Sequence, residues 1–268
     1  AAIASLVGVI WLMELSPARA IAQMLPDSTR AALGARVIGS MTSGRKVCDA
    51  APGRRALDQL AGRLSKAAGG NTPFKIVVVD WGLVNAFAAP GEQIVLTRGL
   101  LEKSESPDEV AGVLSHEMGH GLEMHPESGI VRALGLSAAM DLMLGGSGGT
   151  LANIGLVLAQ LSYTRGAERE ADAHAIRILR EAAISPKGLA DFFTRIDKLN
   201  GGGKASPKDK DKAPKEKSTS AFDVLRTHPQ SAERAAIVAN QPPYKSTPAL
   251  AAADWADLRA ICLSEGKI

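Results

Sequence analysis

Aromatic residues and cysteine are both scarce in this chain of 268 residues. Phenylalanine, tryptophan and tyrosine together make up 4% of the sequence, which leaves no aromatic platform on which nucleic-acid bases could stack. Only two cysteines occur, Cys48 and Cys262, so a zinc site built mainly from cysteine is excluded. The two side chains fit either a pair of buried thiols or, in an oxidising compartment, one disulfide.

Net positive charge is also limited and is concentrated in one segment. Residues 204–217 contain six lysines against three acidic residues, a surplus that equals the net charge of +3 for the whole chain. The rest of the chain is therefore close to neutral, which argues against nucleic-acid binding. Because a composition of Lys, Asp, Pro and Ser cannot bury apolar area, we predict that residues 201–220 form a disordered insertion within the domain.

The sequence has no apolar run that is long enough to cross a bilayer. Residues 1–13 are almost wholly apolar, but such a segment is too short for a membrane span. It could be the remnant of a membrane anchor, a first helix of the globular domain, or the remnant of a signal peptide. We therefore divide the chain into an apolar N-terminal segment, residues 1–24, and one domain, residues 25–268.

The most informative feature present is the pattern H-E-x-x-H at residues 116–120. Ser106, Pro107 and Asp108 are typical of a helix start, so the motif is predicted to lie on a helix. His116 and His120 then share one helical face and can bind one zinc ion, with Glu117 between them in reach of a water molecule on the metal. This arrangement is typical of a zinc peptidase.

A second helical segment supplies a third candidate ligand. Glu168 and Asp172 form an E-x-x-x-D pattern and share a helical face. Glu168 can bind the metal, and Asp172 can accept the N–H of a ligand histidine. Two histidines and one glutamate leave the fourth tetrahedral position open for water, as a catalytic zinc site requires.

These motifs together resemble a known family. The sequence H-E-x-G-H, the later R-x-x-E-x-E-A-D, and His228-Pro229 followed by Glu233-Arg234 are similar to the HtpX, BepA and CAAX-prenyl-protease group of zinc metallopeptidases. The resemblance runs from about residue 25 to residue 240. It implies one zinc per chain, the ligands already named, Glu117 as the general base, and a zincin-like fold.

The resemblance also implies roles for Asn85 and His228. Asn85 is expected to contact the scissile region of a substrate, although an asparagine that caps a turn explains its position equally well. His228 matches a histidine that lies near the metal in relatives. A neutral imidazole in the open fourth position would displace the nucleophilic water, so His228 is either a gate on the zinc or a histidine that is hydrogen-bonded at a helix start.

Two other histidines are predicted to lie outside the site. His125 is nine residues beyond His116 and therefore falls off the ligand face, so we interpret it as a polar residue at the helix end. His174, two residues after Asp172, points away from the face that carries Glu168.

The remaining pattern predicts a mainly helical α+β fold. One helix is expected to begin at Asp27. Others are expected over residues 56–67, 186–200 and 254–262. Phe74–Val79 reads as a buried strand, and residues 85–97 read as a hairpin around Pro90-Gly91. We expect these strands to form a small antiparallel sheet beside the H-E-x-x-H helix. Residues 130–161, apolar but interrupted by glycines, favour a helical hairpin over the active-site cleft.

Two classes of function are compatible with the sequence. The favoured one is an endopeptidase that acts on polypeptides in quality control of the bacterial cell envelope, either in the periplasm or associated with the membrane through the N-terminus. The alternative is a chaperone or scaffold in which the zinc is structural. The presence of every catalytic residue type favours the enzyme.

Overall fold

The computed structural model describes residues 17–69, 73–133, 163–199, 227–228 and 232–263. Its helices are α1 (Pro17–Gln23), α2 (Asp27–Thr42), α3 (Ala51–Ala68), α4 (Arg98–Lys103), α5 (Pro107–Leu122), α6 (Arg165–Glu181), α7 (Lys187–Leu199), α8 (Ala232–Ala239) and α9 (Ala252–Arg259). Its strands are β1 (Val47–Cys48), β2 (Lys75–Val79), β3 (Ala86–Ala89) and β4 (Gln93–Thr97). Residues 125–133 are also helical.

The strands form one four-stranded sheet in the order β1-β2-β4-β3. Strands β1 and β2 are antiparallel, as are β3 and β4, but β2 and β4 are parallel. The predicted α+β class with a small sheet is confirmed, whereas the expectation of a wholly antiparallel sheet is wrong. Strand β4 of the hairpin lies beside β2, and β3 is left at the edge.

Helices cover both faces of the sheet. On one face, Ile94 and Leu96 of β4 pack with α3, α5, α6 and α7 in the main hydrophobic core. On the other face, Val95 packs with Leu33 and Val37 of α2 and with Ile130. This alternation follows from the period-two geometry of a strand. The H-E-x-x-H helix α5 therefore lies in the main core, directly beside the sheet.

Local signals explain where several predicted helices begin and end. The hydroxyl of Ser106 accepts the backbone N–H of Glu109 and caps α5, where Pro107 occupies the first turn. Gly69 ends α3 in a left-handed conformation, with a φ of 76°. The turn of the hairpin also needs positive φ, which Gly91 supplies at 72°.

A disulfide joins the two distant ends of the domain. Cys48 in β1 is bonded to Cys262, which follows α9. Helix α9 packs on α3 at Gly53, where a Cβ atom would approach the backbone oxygen of Asp257 to 2.6 Å. Of the two alternatives left open by the sequence, the structure has the disulfide and not the pair of thiols.

Parts of the predicted domain organisation lie outside the described residues. These parts are residues 1–16 of the N-terminal segment, the insertion at 201–220, and residues 134–161 of the apolar hairpin. The remainder of the N-terminal segment contributes α1. No helix in the described part of the chain is both long enough and apolar enough to span a membrane.

Candidate metal centre

Helix α5 buries three charged or polar side chains of the H-E-x-x-H motif. His116 and His120 have no exposed surface, and Glu117 is 1% exposed. The Nε2 atoms of the two histidines lie 3.1 Å apart. The one-turn spacing on a helix thus brings both rings to the same point in the core, as the sequence predicts.

Helix α6 approaches α5 closely and brings Glu168 to this point. At Gly119 a Cβ atom would lie 2.7 Å from the backbone oxygen of Ala171, so only glycine permits the contact. One Glu168 oxygen, Oε2, is 3.6 Å from His116 Nε2, and the other, Oε1, is 3.6 Å from His120 Nε2. The glycine inside the motif therefore sets the distance between the two helices that carry the donors.

His228 completes a set of four donors. Its Nδ1 atom lies 3.3 Å from His116 Nε2 and 3.1 Å from Glu168 Oε1. The side chain is fully buried, although it is far from the other three donors in the sequence. Among the described residues, this is the one group of His, Cys, Asp or Glu side chains that could hold a metal ion.

The spacing of the four donors fits zinc. With both oxygens of Glu168 counted, the five nearest distances between donor atoms are 3.1–3.6 Å, and one atom from each of the four residues lies within 4.8 Å of the others. A tetrahedral zinc with bonds of about 2.0–2.1 Å separates its donors by about 3.3–3.4 Å. Nitrogen and carboxylate oxygen are also the donor types that zinc takes in proteins. The site is therefore both sized and chemically suited for one zinc ion.

A buried ion pair lies against the first histidine of the motif. Asp172 Oδ1 lies 3.0 Å from His116 Nδ1, and the guanidinium of Arg234 contacts both oxygens of Asp172, at 2.6 and 2.9 Å. Burial would raise the pKa of the Asp172 carboxyl, but the hydrogen bonds from His116 and Arg234 outweigh it and the pKa is lowered. The carboxylate is thus charged and lies within reach of His116 Nδ1.

Arg234 also lies 2.7 Å from Glu168 Oε2 through Nη1. The pKa of Glu168 is likewise lowered, because nearby positive charge and hydrogen bonds from histidines outweigh the effect of burial. Burial lowers the pKa of His120 well below its usual value, which keeps the ring neutral and its lone pair free to bind a metal. Glu168 is thus charged and His120 neutral, which are the protonation states that a metal ligand needs.

Glu117 lies beside the four donors and contacts the edge strand. Its Oε2 atom accepts the backbone N–H of Ala88 in β3 at 2.8 Å. Its Oε1 atom is 3.4 Å from His228 Nε2. Burial raises the pKa of Glu117 above its usual value, which makes the carboxylate a better proton acceptor.

Asn85 stands at the start of the edge strand. Its side-chain oxygen accepts the backbone N–H of Ala86 at 2.9 Å, and the backbone N–H of Asn85 donates to the hydroxyl of Thr97 at 3.1 Å. The side chain is buried. These contacts match the alternative of an asparagine that caps a turn. A contact between Asn85 and a substrate stays a prediction.

His125 lies outside the four-donor set, as predicted, but it contacts a member of that set. The side chain is buried, and its Nδ1 lies 2.9 Å from Nδ1 of His120. This contact could not be predicted by continuing α5, because α5 ends at Leu122 and Met124 takes a positive φ of 53°, which redirects the chain. His174, in contrast, contacts Glu123 at 2.6 Å and lies outside the four-donor set, as expected.

The sequence analysis does not predict two further residues beside the donors, Tyr163 and Arg234. The ring of Tyr163 stacks on His120, with centroids 3.9 Å apart and planes inclined by 21°. Arg234 belongs to the Glu233-Arg234 pair of the family resemblance, which does not predict its contact with Asp172. The available signal for Arg234 was the cluster of buried carboxylates that Glu168 and Asp172 would form on one helical face, because such charges need a cationic partner.

The fold and the donor set together define a zincin-like metallopeptidase. A family model described as peptidase family M48 matches residues 54–241. The chain belongs to this family of zinc metallopeptidases. The matched region contains every residue of the proposed zinc site.

Several curated proteins are similar to this chain. Metalloprotease LoiP of Escherichia coli is 35% identical over 159 residues, which is 57% of this chain and 56% of LoiP. Mitochondrial metalloendopeptidase OMA1 of Arabidopsis thaliana is 28% identical over 62% of this chain and 31% of its own length. Metalloprotease YcaL of Escherichia coli is 29% identical over 80% of each chain. The chain thus spans about half of LoiP and about a third of OMA1.

Proposed function

We propose that the protein is an endopeptidase that hydrolyses polypeptides with one zinc ion held by His116, His120 and Glu168. The observation that carries this proposal is the spacing of the buried donors, 3.1–3.6 Å between neighbours, with Glu117 beside them. A bound zinc ion supplies a Lewis acid that polarises the peptide carbonyl and makes water acidic.

Glu117 is proposed as the general base. In hydrolysis it takes a proton from the attacking water and returns it to the nitrogen of the leaving amine. The N–H of Ala88 holds one oxygen of the carboxylate, at 2.8 Å, and leaves the other oxygen for the proton. A structural zinc site needs no such base, so the scaffold alternative does not account for a buried carboxylate at this position.

We propose that the substrate binds along the edge strand β3. An extended polypeptide that adds to a sheet edge is held through main-chain hydrogen bonds, which are independent of sequence. Strand β3 is at the edge of the sheet, and Ala88 contacts Glu117. A substrate strand on β3 would therefore lie next to the base, with Asn85 at the start of the same strand.

His228 is proposed as a gate. Four protein donors close a tetrahedral zinc site, whereas a catalytic site keeps one position open. In this proposal, the arrangement with Nδ1 of His228 at 3.1 Å from Glu168 Oε1 is the resting state. Departure of the imidazole would open the fourth position to water.

The cellular setting is proposed to be the bacterial envelope. Relatives at 29% identity in Yersinia pestis and 30% in Vibrio cholerae carry the name beta-barrel assembly-enhancing protease, the latter as putative. The disulfide between Cys48 and Cys262 fits an oxidising compartment such as the periplasm. We propose envelope proteins as substrates and association with the membrane through the apolar N-terminus.

Zinc analysis combined with a cleavage assay tests the proposed activity. The purified protein should contain about one zinc per chain, and it should cleave casein in a reaction that a chelator stops and added zinc restores. His116→Ala and Glu168→Ala should lose both zinc and cleavage. Unchanged zinc content in the Glu168 variant would remove that residue from the site.

A further inference from the structure

The two ligand histidines of the motif are held by different partners. His116 turns its Nδ1 toward the carboxylate of Asp172, at 3.0 Å. His120 turns its Nδ1 toward another imidazole, that of His125, at 2.9 Å. Ligand histidines commonly donate this second N–H to a carboxylate or a carbonyl, which fixes the orientation of the ring. The partner of His120 therefore needs its own explanation.

The positions of the protons follow from the geometry. Nε2 of His120 faces the other donors, 3.6 Å from Glu168 Oε1, and must lack a proton to bind a metal. The proton of the neutral ring is then on Nδ1, which donates to Nδ1 of His125. His125 consequently carries its proton on Nε2, and this atom lies 3.0 Å from Oε2 of Glu170.

We propose that His125 is a positioning residue for the zinc site, which orients His120 through a hydrogen-bonded chain that ends on Glu170. The proposal rests on the zinc site proposed above. Both ring nitrogens of His125 take part in this chain. Nδ1 accepts a hydrogen bond from His120, and Nε2 donates one to Glu170. The imidazole thus transfers the orienting effect of a carboxylate that cannot itself reach His120.

The chain leads from the buried metal site toward the surface. His125 is 6% exposed, whereas the side chain of Glu170 is 42% exposed. Arg19 of α1 lies 3.8 Å from the same Glu170 oxygen and also pairs with Glu123. Helix α1 precedes residues 54–241, the region that the family model matches. The Glu170 end of the hydrogen-bonded chain therefore contacts Arg19, a residue outside that region.

Three variants isolate the hydrogen bond from simple packing. His125→Leu removes both nitrogens and keeps a side chain of similar size. His125→Asn keeps an acceptor oxygen close to the place of Nδ1. His174→Leu is the matched control, because His174 lies on α6 in the same polar region and contacts Glu123 without touching a zinc donor.

The readout is the zinc dissociation constant, measured by competition with a chromogenic chelator on the full chain. His125→Leu should weaken zinc binding by about 10- to 100-fold. His125→Asn should recover most of that loss, and His174→Leu should bind as the wild type does. The zinc-free proteins should all have the same melting temperature. The visible spectrum of bound Co²⁺ should change only in the His125 variants.

Equal zinc affinity in wild type and His125→Leu would overturn the proposal, as would an equal loss in the His174 control. If His125→Leu does not fold, His125→Ala takes its place, since it also removes both nitrogens. A loss of about 10-fold or more in His125→Ala that His125→Asn largely recovers supports the proposal, and wild-type zinc affinity in His125→Ala overturns it. A wild-type protein that binds no zinc would instead defeat the proposed function.

Discussion

Glu117 is the residue at which chemistry can be changed without a change in shape. Replacement by Gln keeps an oxygen that can accept the N–H of Ala88, now at 2.8 Å, but the amide cannot take a proton from water. We expect Glu117→Gln to keep about one zinc per chain and to lose about 10²–10⁴-fold in cleavage rate.

Zinc analysis and initial rates on casein measure both effects. Glu181→Gln, an exposed position at the end of α6, is the matched control and should behave as the wild type. A Glu117→Gln protein that cleaves at a near-native rate would defeat the role of this residue as general base.

His228 offers the opposite kind of test, because its removal should not slow the enzyme. If the imidazole closes the fourth position, His228→Ala should cleave at least as fast as the wild type at saturating zinc, since three donors remain. Initial rates at several zinc concentrations measure this. A rate that falls with zinc fully bound would show that His228 assists the reaction and does not block it.

Some residues of the site could be predicted from the sequence because local helix geometry places them, and others could not. His116, Glu117 and His120 could be predicted because one turn of helix α5 is enough to align them. Asp172 could be predicted for the same reason on α6. His125 and Tyr163 could not, because a left-handed residue at Met124 and a tertiary contact bring them to His120. Position along a helix carries no information about either.

At the scale of elements, the close contact between α5 and α6 determines the geometry of the site. A Cβ atom at position 119 would lie 2.7 Å from the backbone oxygen of Ala171. Gly119→Ala should therefore push the helices apart, weaken zinc binding, and cost about 1–3 kcal/mol in free energy of unfolding. Denaturant titration and zinc competition measure the two effects.

Gly62→Ala is the matched control for this prediction. Position 62 is also inside a helix, and nothing lies within 4 Å of the place where its Cβ atom would be. That variant should gain about 0.5–1 kcal/mol through helix propensity. If both variants change stability in the same direction, the contact between α5 and α6 is not the constraint described above.

The arrangement of strands shows how far sequence patterns extend at this scale. Strand β2 could be predicted from its β-branched residues, and the hairpin of β3 and β4 from Pro90-Gly91, but the two-residue strand β1 could not. The parallel pairing of β2 and β4 could not, because a hairpin specifies its own two strands and leaves open which of them lies beside a third. The order depends on how the assembled domain packs, which places β4 between β2 and β3.

At the scale of the whole molecule, one covalent bond connects the start and the end of the domain. The disulfide between Cys48 and Cys262 closes a loop with a sequence separation of 214 residues. Replacement of both cysteines by serine should cost about 2–5 kcal/mol in free energy of unfolding. Denaturant titration of the variant and of reduced wild type should give the same value.

Thiol titration of the unreduced, denatured protein supplies the complementary measurement. We expect no free thiol, because the described structure contains no unpaired cysteine. Two thiols per chain would contradict the bond, and with it the argument for an oxidising compartment.

The same bond has a consequence for damage to the chain. His116, His120 and Glu168 precede the lysine-rich residues 204–217, and His228 follows them. A single proteolytic nick in that segment, whether by another protease or by autolysis, would divide the backbone between the third donor and the fourth. Since the break would fall between Cys48 and Cys262, the two fragments would remain one molecule until a reductant released them.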